Sequence, residues 1–183
     1  MKKVLVVVDY QVDFVSGALG FDAARALEPK IAQQVQTALQ QGWKVVFTRD
    51  THPADYLNTR EGQFLPVPHC IEGSEGWNLY GSLMQYQVAP PQNVYLLNKP
   101  TFGCAALPDF IRGICGGEPD EVAVCGIVTN ICVVSNAILL HSTLLNSKIS
   151  VLADLCAAAA PTDHQNTLAL LSGMGYAVKN ADS

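Results

Sequence analysis

Four residues of this chain have side chains suited to hydrolytic chemistry, and they recur at one kind of place. Asp9, Asp50, Lys99 and Cys132 each follow a short apolar, β-branched run. Cys132 is the candidate nucleophile. The run from Val122 reads as a buried strand, Gly126 breaks it, and Thr129 and Asn130 offer N-cap side chains. Ile131 to Leu145 then carries apolar residues at helical spacing, which predicts Cys132 in the first turn of a helix. Free N–H groups and the helix dipole there favour a thiolate. For this residue alone, a buried cysteine packing as a small hydrophobe is the plainer alternative. Asp9 supplies a carboxylate to take and return the thiol proton, and Lys99 a cation to hold both and to lower the thiol pKa. Singly, Asp9 reads as a strand-end cap and Lys99 as a solvated lysine; three such residues at three strand ends read as a cysteine hydrolase site.

A second group suits a metal. Asp50 and His52 alternate on an extended segment, so both side chains point to one side, and Glu61 and His69 follow in the same long loop. Two imidazoles and two carboxylates suit a borderline divalent cation such as zinc, iron or manganese. An isolated Asp-x-His is more often a polar surface loop; His69 within Pro68-His-Cys-Ile-Glu-Gly73 favours the metal. His141 and His164 are expected to pack or cap, with no catalytic role.

These residues require a frame that gathers strand ends. Strands are expected at Lys3–Val8, Trp43–Thr48, Asn93–Leu97, Glu121–Cys125, Lys148–Leu152 and Tyr176–Val178. Helices are expected at Ala23–Gln41, Asn78–Tyr86, Leu107–Cys115, Ile131–Leu145 and Thr162–Ser172. Alternation of this kind predicts an α/β fold: one domain over 1–183, with a doubly wound, about six-stranded parallel sheet flanked by helices. Its carboxyl ends share one rim, where such sheets bind their ligands. The stretch from Thr51 to Trp77, rich in Pro and Gly, is long for a loop, and loops of that length are usually functional.

Composition narrows the classes. With 49% hydrophobic and 15% charged residues the chain is not disordered, and a net charge of −5 with scattered lysines and arginines excludes a nucleic-acid partner. The apolar run after Met1-Lys-Lys ends at Asp9, too short for a signal peptide, and nothing approaches the roughly 20 residues of a membrane span. Six cysteines without paired spacing fit a reducing, cytoplasmic setting with free thiols. Helical faces rich in Ala and Leu are compatible with a homo-oligomer and fix no subunit number.

Five segments, in order, resemble the isochorismatase-like cysteine hydrolases, and within them the nicotinamidases. They are Val8-Asp-Tyr-Gln-Val-Asp-Phe14, Arg49-Asp-Thr-His-Pro53, Pro68-His-Cys-Ile-Glu-Gly-Ser-Glu-Gly76, Lys99-Pro-Thr-Phe102 and Gly126-Ile-Val-Thr-Asn-Ile-Cys-Val133. The resemblance implies a catalytic triad of Asp9, Lys99 and Cys132, a cis peptide between Ile127 and Val128, and an oxyanion hole from the Val128 and Cys132 amides. It further implies Asp50, His52 and His69 as metal ligands, with Glu61 assigned as the fourth, and Phe14 and Phe102 as aromatic walls for a substrate ring. The implied reaction is metal-dependent hydrolysis of nicotinamide to nicotinate and ammonia through a cysteine thioester, a step of NAD salvage. Thr51 and Leu65 or Pro66 stand where many nicotinamidases have tryptophan, so another small amide, such as a ureido or carbamoyl compound, remains open. So do a vinyl ether hydrolase, which in the family lacks the cysteine, and a non-catalytic ligand-binding module.

Overall fold

The structure, a computed structural model, describes residues 1–180; the last three positions of the expected 1–183 domain lie outside the described residues. The apolar runs form β1 (Lys3–Val8), β2 (Lys44–Asp50), β3 (Val94–Lys99), β4 (Glu121–Ile127), β5 (Lys148–Ala157) and β6 (Ala177–Lys179). All pair in parallel, in the order β3-β2-β1-β4-β5-β6. Val4 to Val8 are wholly buried, which is why β1 shows no alternation: helices cover both faces of a parallel sheet. Strand order reverses between β1 and β4, and in open α/β sheets the crevice at that switch point is where ligands sit.

The helices are α1 (Val12–Val15), α2 (Asp22–Ala26), α3 (Glu28–Gln40), α4 (Arg60–Phe64), α5 (Met84–Val88), α6 (Leu107–Cys115), α7 (Val134–Thr143) and α8 (Pro161–Gly173). The helix expected over Ala23–Gln41 is therefore two. Pro29 lies in the first turn of α3, where its missing N–H costs nothing, but it could not continue a helix running through Leu27. The helix expected over Asn78–Tyr86 is displaced: Gly81, at φ +58°, enters a 3-10 turn that leads into α5. The helix expected from Ile131 begins as a wide turn, Thr129–Val133, in which the Val133 amide bonds the Val128 carbonyl five residues back. Val128 holds the cap position and neither Thr129 nor Asn130 caps, correcting that expectation.

Five strands outrun their expected ends, β2 and β3 as far as function-bearing residues. β2 continues to Asp50 and β3 to Lys99, so that these two residues are lateral partners on adjacent strands. β5 continues five residues past Leu152, and after a register irregularity at Val124/Gly126 it pairs Ala157 with Ile127. Gly126, at φ +114°, permits this: a Cβ there would sit 2.2 Å from the Val8 carbonyl oxygen. The six cysteines are free and buried. Among the described residues no helix is long and apolar enough to cross a membrane.

Candidate active site

Lys99, fully buried, is the centre of the site. Its Nζ lies 2.7 Å from Asp9 Oδ2, 3.1 Å from Asp50 Oδ1 and 3.8 Å from Cys132 Sγ, and it donates to the Thr101 carbonyl at 2.9 Å. Asp9 leaves β1 in the left-handed region at φ +47°. Thr48 on the neighbouring strand holds it there: the Asp9 amide reaches the Thr48 hydroxyl at 3.2 Å, and that hydroxyl donates to Asp9 Oδ1 at 2.7 Å. Asp9 Oδ2 makes no directed hydrogen bond beyond its ion contact, so it can accept another proton. The structure thus brings Asp9, Lys99 and Cys132 from three strand ends to one point, and the Ile127–Val128 peptide beside them is cis, as the resemblance implied.

Asp50 joins this cluster to the second one. While Oδ1 faces Lys99, Oδ2 lies 3.0 Å from His52 Nε2 and 3.3 Å from His69 Nε2. One donor atom each from Asp50, His52 and His69 falls within 4.8 Å of the others, all three residues being buried. The donor set fits a divalent cation on a specific ground. The Val67 carbonyl can only accept, so His69 Nδ1, 2.7 Å away, carries the hydrogen. In the deprotonated form that binds a metal, His69 presents Nε2 as a lone pair towards the Asp50 carboxylate, and Nε2 is without a hydrogen-bond partner. A cation between the two acceptors resolves that opposition. Glu61 stands outside the three-residue group: its Oε2 accepts from the Phe102 amide at 3.3 Å, and its Oε1, unpartnered, lies 3.7 Å from His52 Nε2.

Both groups open on one cavity of about 210 Å³, to which Cys132, Val128, Asp50 and His69 contribute. Phe14 and Phe102, singled out from the sequence, both line it, and Phe14 packs on His69 at a ring separation of 5.2 Å. The rest of the wall is aliphatic or aromatic: Leu19, Phe21, Leu65, Ile131 and Ala159. Leu65 was marked only as a missing tryptophan, and the others left no local trace. Thr51, the other such position, accepts from Trp77 Nε1 at 2.8 Å and does not line the cavity.

Positioning side chains were also missed. Gln11 is fully buried and clamps the end of β2, its Oε1 accepting from the Asp50 amide at 2.7 Å and its Nε2 donating to the Asp50 carbonyl at 2.9 Å. Asp13 Oδ2 accepts from the amide of Cys70, next to His69, at 2.7 Å. Asn136, a fully buried amide on α7, donates to the Cys132 carbonyl at 2.8 Å. A polar residue on the apolar side of a predicted helix is the trace that could have found it.

Burial dominates the electrostatics. It pushes the Cys132 thiol well up; Lys99 pulls it down, Asp9 and Asp50 push it further up, and the net direction is upward. Burial and the two carboxylates thus oppose the thiolate that Lys99 and the helix end favour. Burial also raises Asp9 against the pull of Lys99, with Asp50 adding to the rise. Burial opposes charge on Lys99, but Asp9, Cys132 and Asp50 outweigh it and keep the ammonium protonated. Asp50 goes the other way, because Lys99 above all overcomes its burial and holds it below the usual carboxylate range.

Residues 3–183 match the family model described as the isochorismatase domain. A curated relative, the uncharacterized isochorismatase family protein PncA of Bacillus subtilis (strain 168), is 32% identical over 143 residues, 75% of this chain and 78% of that protein. Among solved structures, the nicotinamidase PncA of Bacillus subtilis superposes with a TM-score of 0.85 at 29% identity, covering 97% of this chain and 99% of that one. The pyrazinamidase/nicotinamidase of Streptococcus mutans UA159 gives 0.86 at 30% identity with the same coverage.

Proposed function

The chain belongs to the isochorismatase family, and we propose that within this family of hydrolases it is a metal-dependent amidohydrolase that converts nicotinamide and water to nicotinate and ammonia. One observation carries the reading. The thiol of Cys132, and Asp50 and His69 of the Asp-His-His donor set, line the same small, mostly apolar cavity. At about 210 Å³ it is smaller than the roughly 300–1,000 Å³ of drug-sized pockets, which suits a single-ring amide.

Phe14 and Phe102 would grip the ring, placing the carboxamide carbon at Cys132 Sγ. With burial pushing the thiol pKa up, attack requires its proton to pass to Asp9 as the C–S bond forms. Lys99 keeps Asp9 oriented and balances the charge that moves between it and the sulfur. The Val128 and Cys132 amides would receive the tetrahedral oxyanion, an interaction whose removal costs about 10²–10³-fold in comparable sites. Asp9, now protonated and with its pKa raised by burial, returns the proton to the leaving nitrogen as the C–N bond breaks, releasing ammonia. Water, deprotonated by the same carboxylate, then cleaves the thioester and restores the thiol. Asp50, His52 and His69 would hold the cation, which when bound supplies a Lewis acid for a ring nitrogen.

The test is ammonia release from nicotinamide by purified protein before chelation, after it, and after zinc or manganese is restored. Activity lost and regained supports the whole reading; no ammonia from metal-replete protein retires nicotinamide. A second reading is favoured by Leu65 in the cavity wall: the same chemistry on another small amide, ureido or carbamoyl, that does not demand a flat aromatic surface there.

A further inference from the structure

Helix α8 reaches the site through one side chain that the reaction outlined above does not use. His164, in the first turn of α8, has its Nδ1 2.8 Å from the hydroxyl of Thr129. Thr129 is wholly buried and is peptide-bonded to Val128, whose amide is assigned to the oxyanion. It also opens the wide turn that carries Cys132. Beside the imidazole lies a cavity of about 180 Å³, lined by Cys156, Ala158 and Pro161 among others. Packing beside the imidazole is incomplete, and the hydrogen bond adds a directed tie to the close contacts that α8 makes with the turn. The segment just before α8 contributes Ala159 to the wall of the substrate cavity. His164 thus joins the residue that follows Val128 to the helix whose lead-in lines the substrate cavity.

We propose that His164 is a positioning residue for the hydrolysis: through the Thr129 hydroxyl it holds the Val128 amide where the developing oxyanion needs it. Burial lowers the pKa of the ring, so near neutral pH it is the uncharged imidazole that makes this bond. The role differs from generic stabilisation, because an oxyanion donor acts in the transition state and not on the bound amide. The proposal rests on the oxyanion assignment of the Val128 amide.

The experiment compares His164→Ala, His164→Asn and Thr129→Val in the full chain. His164→Ala should lower kcat by about 10-fold, below the roughly 10²–10³-fold lost when an oxyanion donor is removed outright, with KM for nicotinamide nearly unchanged. His164→Asn, which restores a polar atom near the position of Nδ1, should recover most of that loss. Added imidazole should restore His164→Ala by entering the enlarged cavity, and should not restore Thr129→Val. An unchanged kcat in His164→Ala, or a loss that neither asparagine nor imidazole repairs, overturns the proposal. Should the wild type release no ammonia, the failure belongs to the substrate reading, and amide hydrogen exchange over residues 128–133 decides this one. Exchange should speed up in His164→Ala and return to the wild-type rate in His164→Asn; identical exchange in all three proteins refutes it.

Discussion

The two ends of the parallel sheet each hold carboxylates against lysines, in inverse proportion. At the amino end Glu121, opening β4, meets two lysines: Lys3 Nζ at 2.9 Å and Lys179 Nζ at 2.7 Å. At the carboxyl end one lysine, Lys99, serves two carboxylates, Asp9 and Asp50. The protons follow. Burial opposes ionisation of Glu121, yet hydrogen bonds from Lys179 and Lys3 outweigh it and hold its pKa low. At Asp9 burial wins and the pKa is high. The same residue types give a fixed charge where cations are in excess and solvent is near, and a mobile proton where the cation is shared and the side chains are fully buried. The deficit of positive charge at the carboxyl end is also what a divalent ion on Asp50, His52 and His69 would offset.

The largest effect that tests this contrast is loss of the group whose proton moves. Cys132→Ala should reduce ammonia release by roughly 10⁴-fold or more while the thermal midpoint stays close to wild type; appreciable residual turnover would remove Cys132 from the nucleophile's role. Next, Lys99→Met should abolish turnover and destabilise the fold by about 3–5 kcal/mol in urea titration, because two buried carboxylates lose their only close ammonium. Lys3→Met at the other end should cost about 1 kcal/mol or less and leave turnover intact, since Lys179 still faces Glu121. Equal costs at the two ends would break the comparison.

Metal comes third. Zinc or manganese at about 100 times its dissociation constant should stabilise chelated protein by roughly 2.7 kcal/mol in thermal melts, and Asp50→Asn should erase that gain. Cation-independent melts would argue against the Asp50-His52-His69 assignment.

The pH dependences are smaller and opposite. Asp9 must be ionised to take the thiol proton, and its pKa is raised, so kcat/KM should fall on the acid side at a pH above the ordinary carboxylate value of about 4. An acid limb at or below that value would contradict the burial argument. Glu121, with a lowered folded-state pKa, contributes stability that is present above the unfolded value of about 4.3 and is lost as pH falls through the folded one. Glu121→Gln should therefore cost about 1 kcal/mol near pH 7, and the difference from wild type should fade as the medium is acidified past that range.

Much of this was legible in the chain. A strand covered on both faces is a continuous Val/Leu/Ile run, so Lys3–Val8 and most of β4, Glu121–Cys125, announced themselves, as did Asp9 closing the first. The nucleophile, its two partners and the Asp-His-His group were all recoverable by type and position. What failed locally failed for stated causes: Pro29 split a helix that periodicity joined, and a register irregularity carried β5 past the point where its β-branched run ended.

The sequence by itself determined which groups exist and at which strand ends they stand, because side-chain chemistry and hydrophobic period are local properties. Only the tertiary structure decided how they act together. The pairing of Asp50 with Lys99 on neighbouring strands merged two groups that read as separate. Leu65, Ile131 and Ala159, distant in the chain and unremarkable in type, became one wall. The thiol that Lys99 favours as thiolate has its pKa pushed up by burial and by two carboxylates. Each outcome depends on how much water and how many charges surround a group, and that is set by segments far away in sequence.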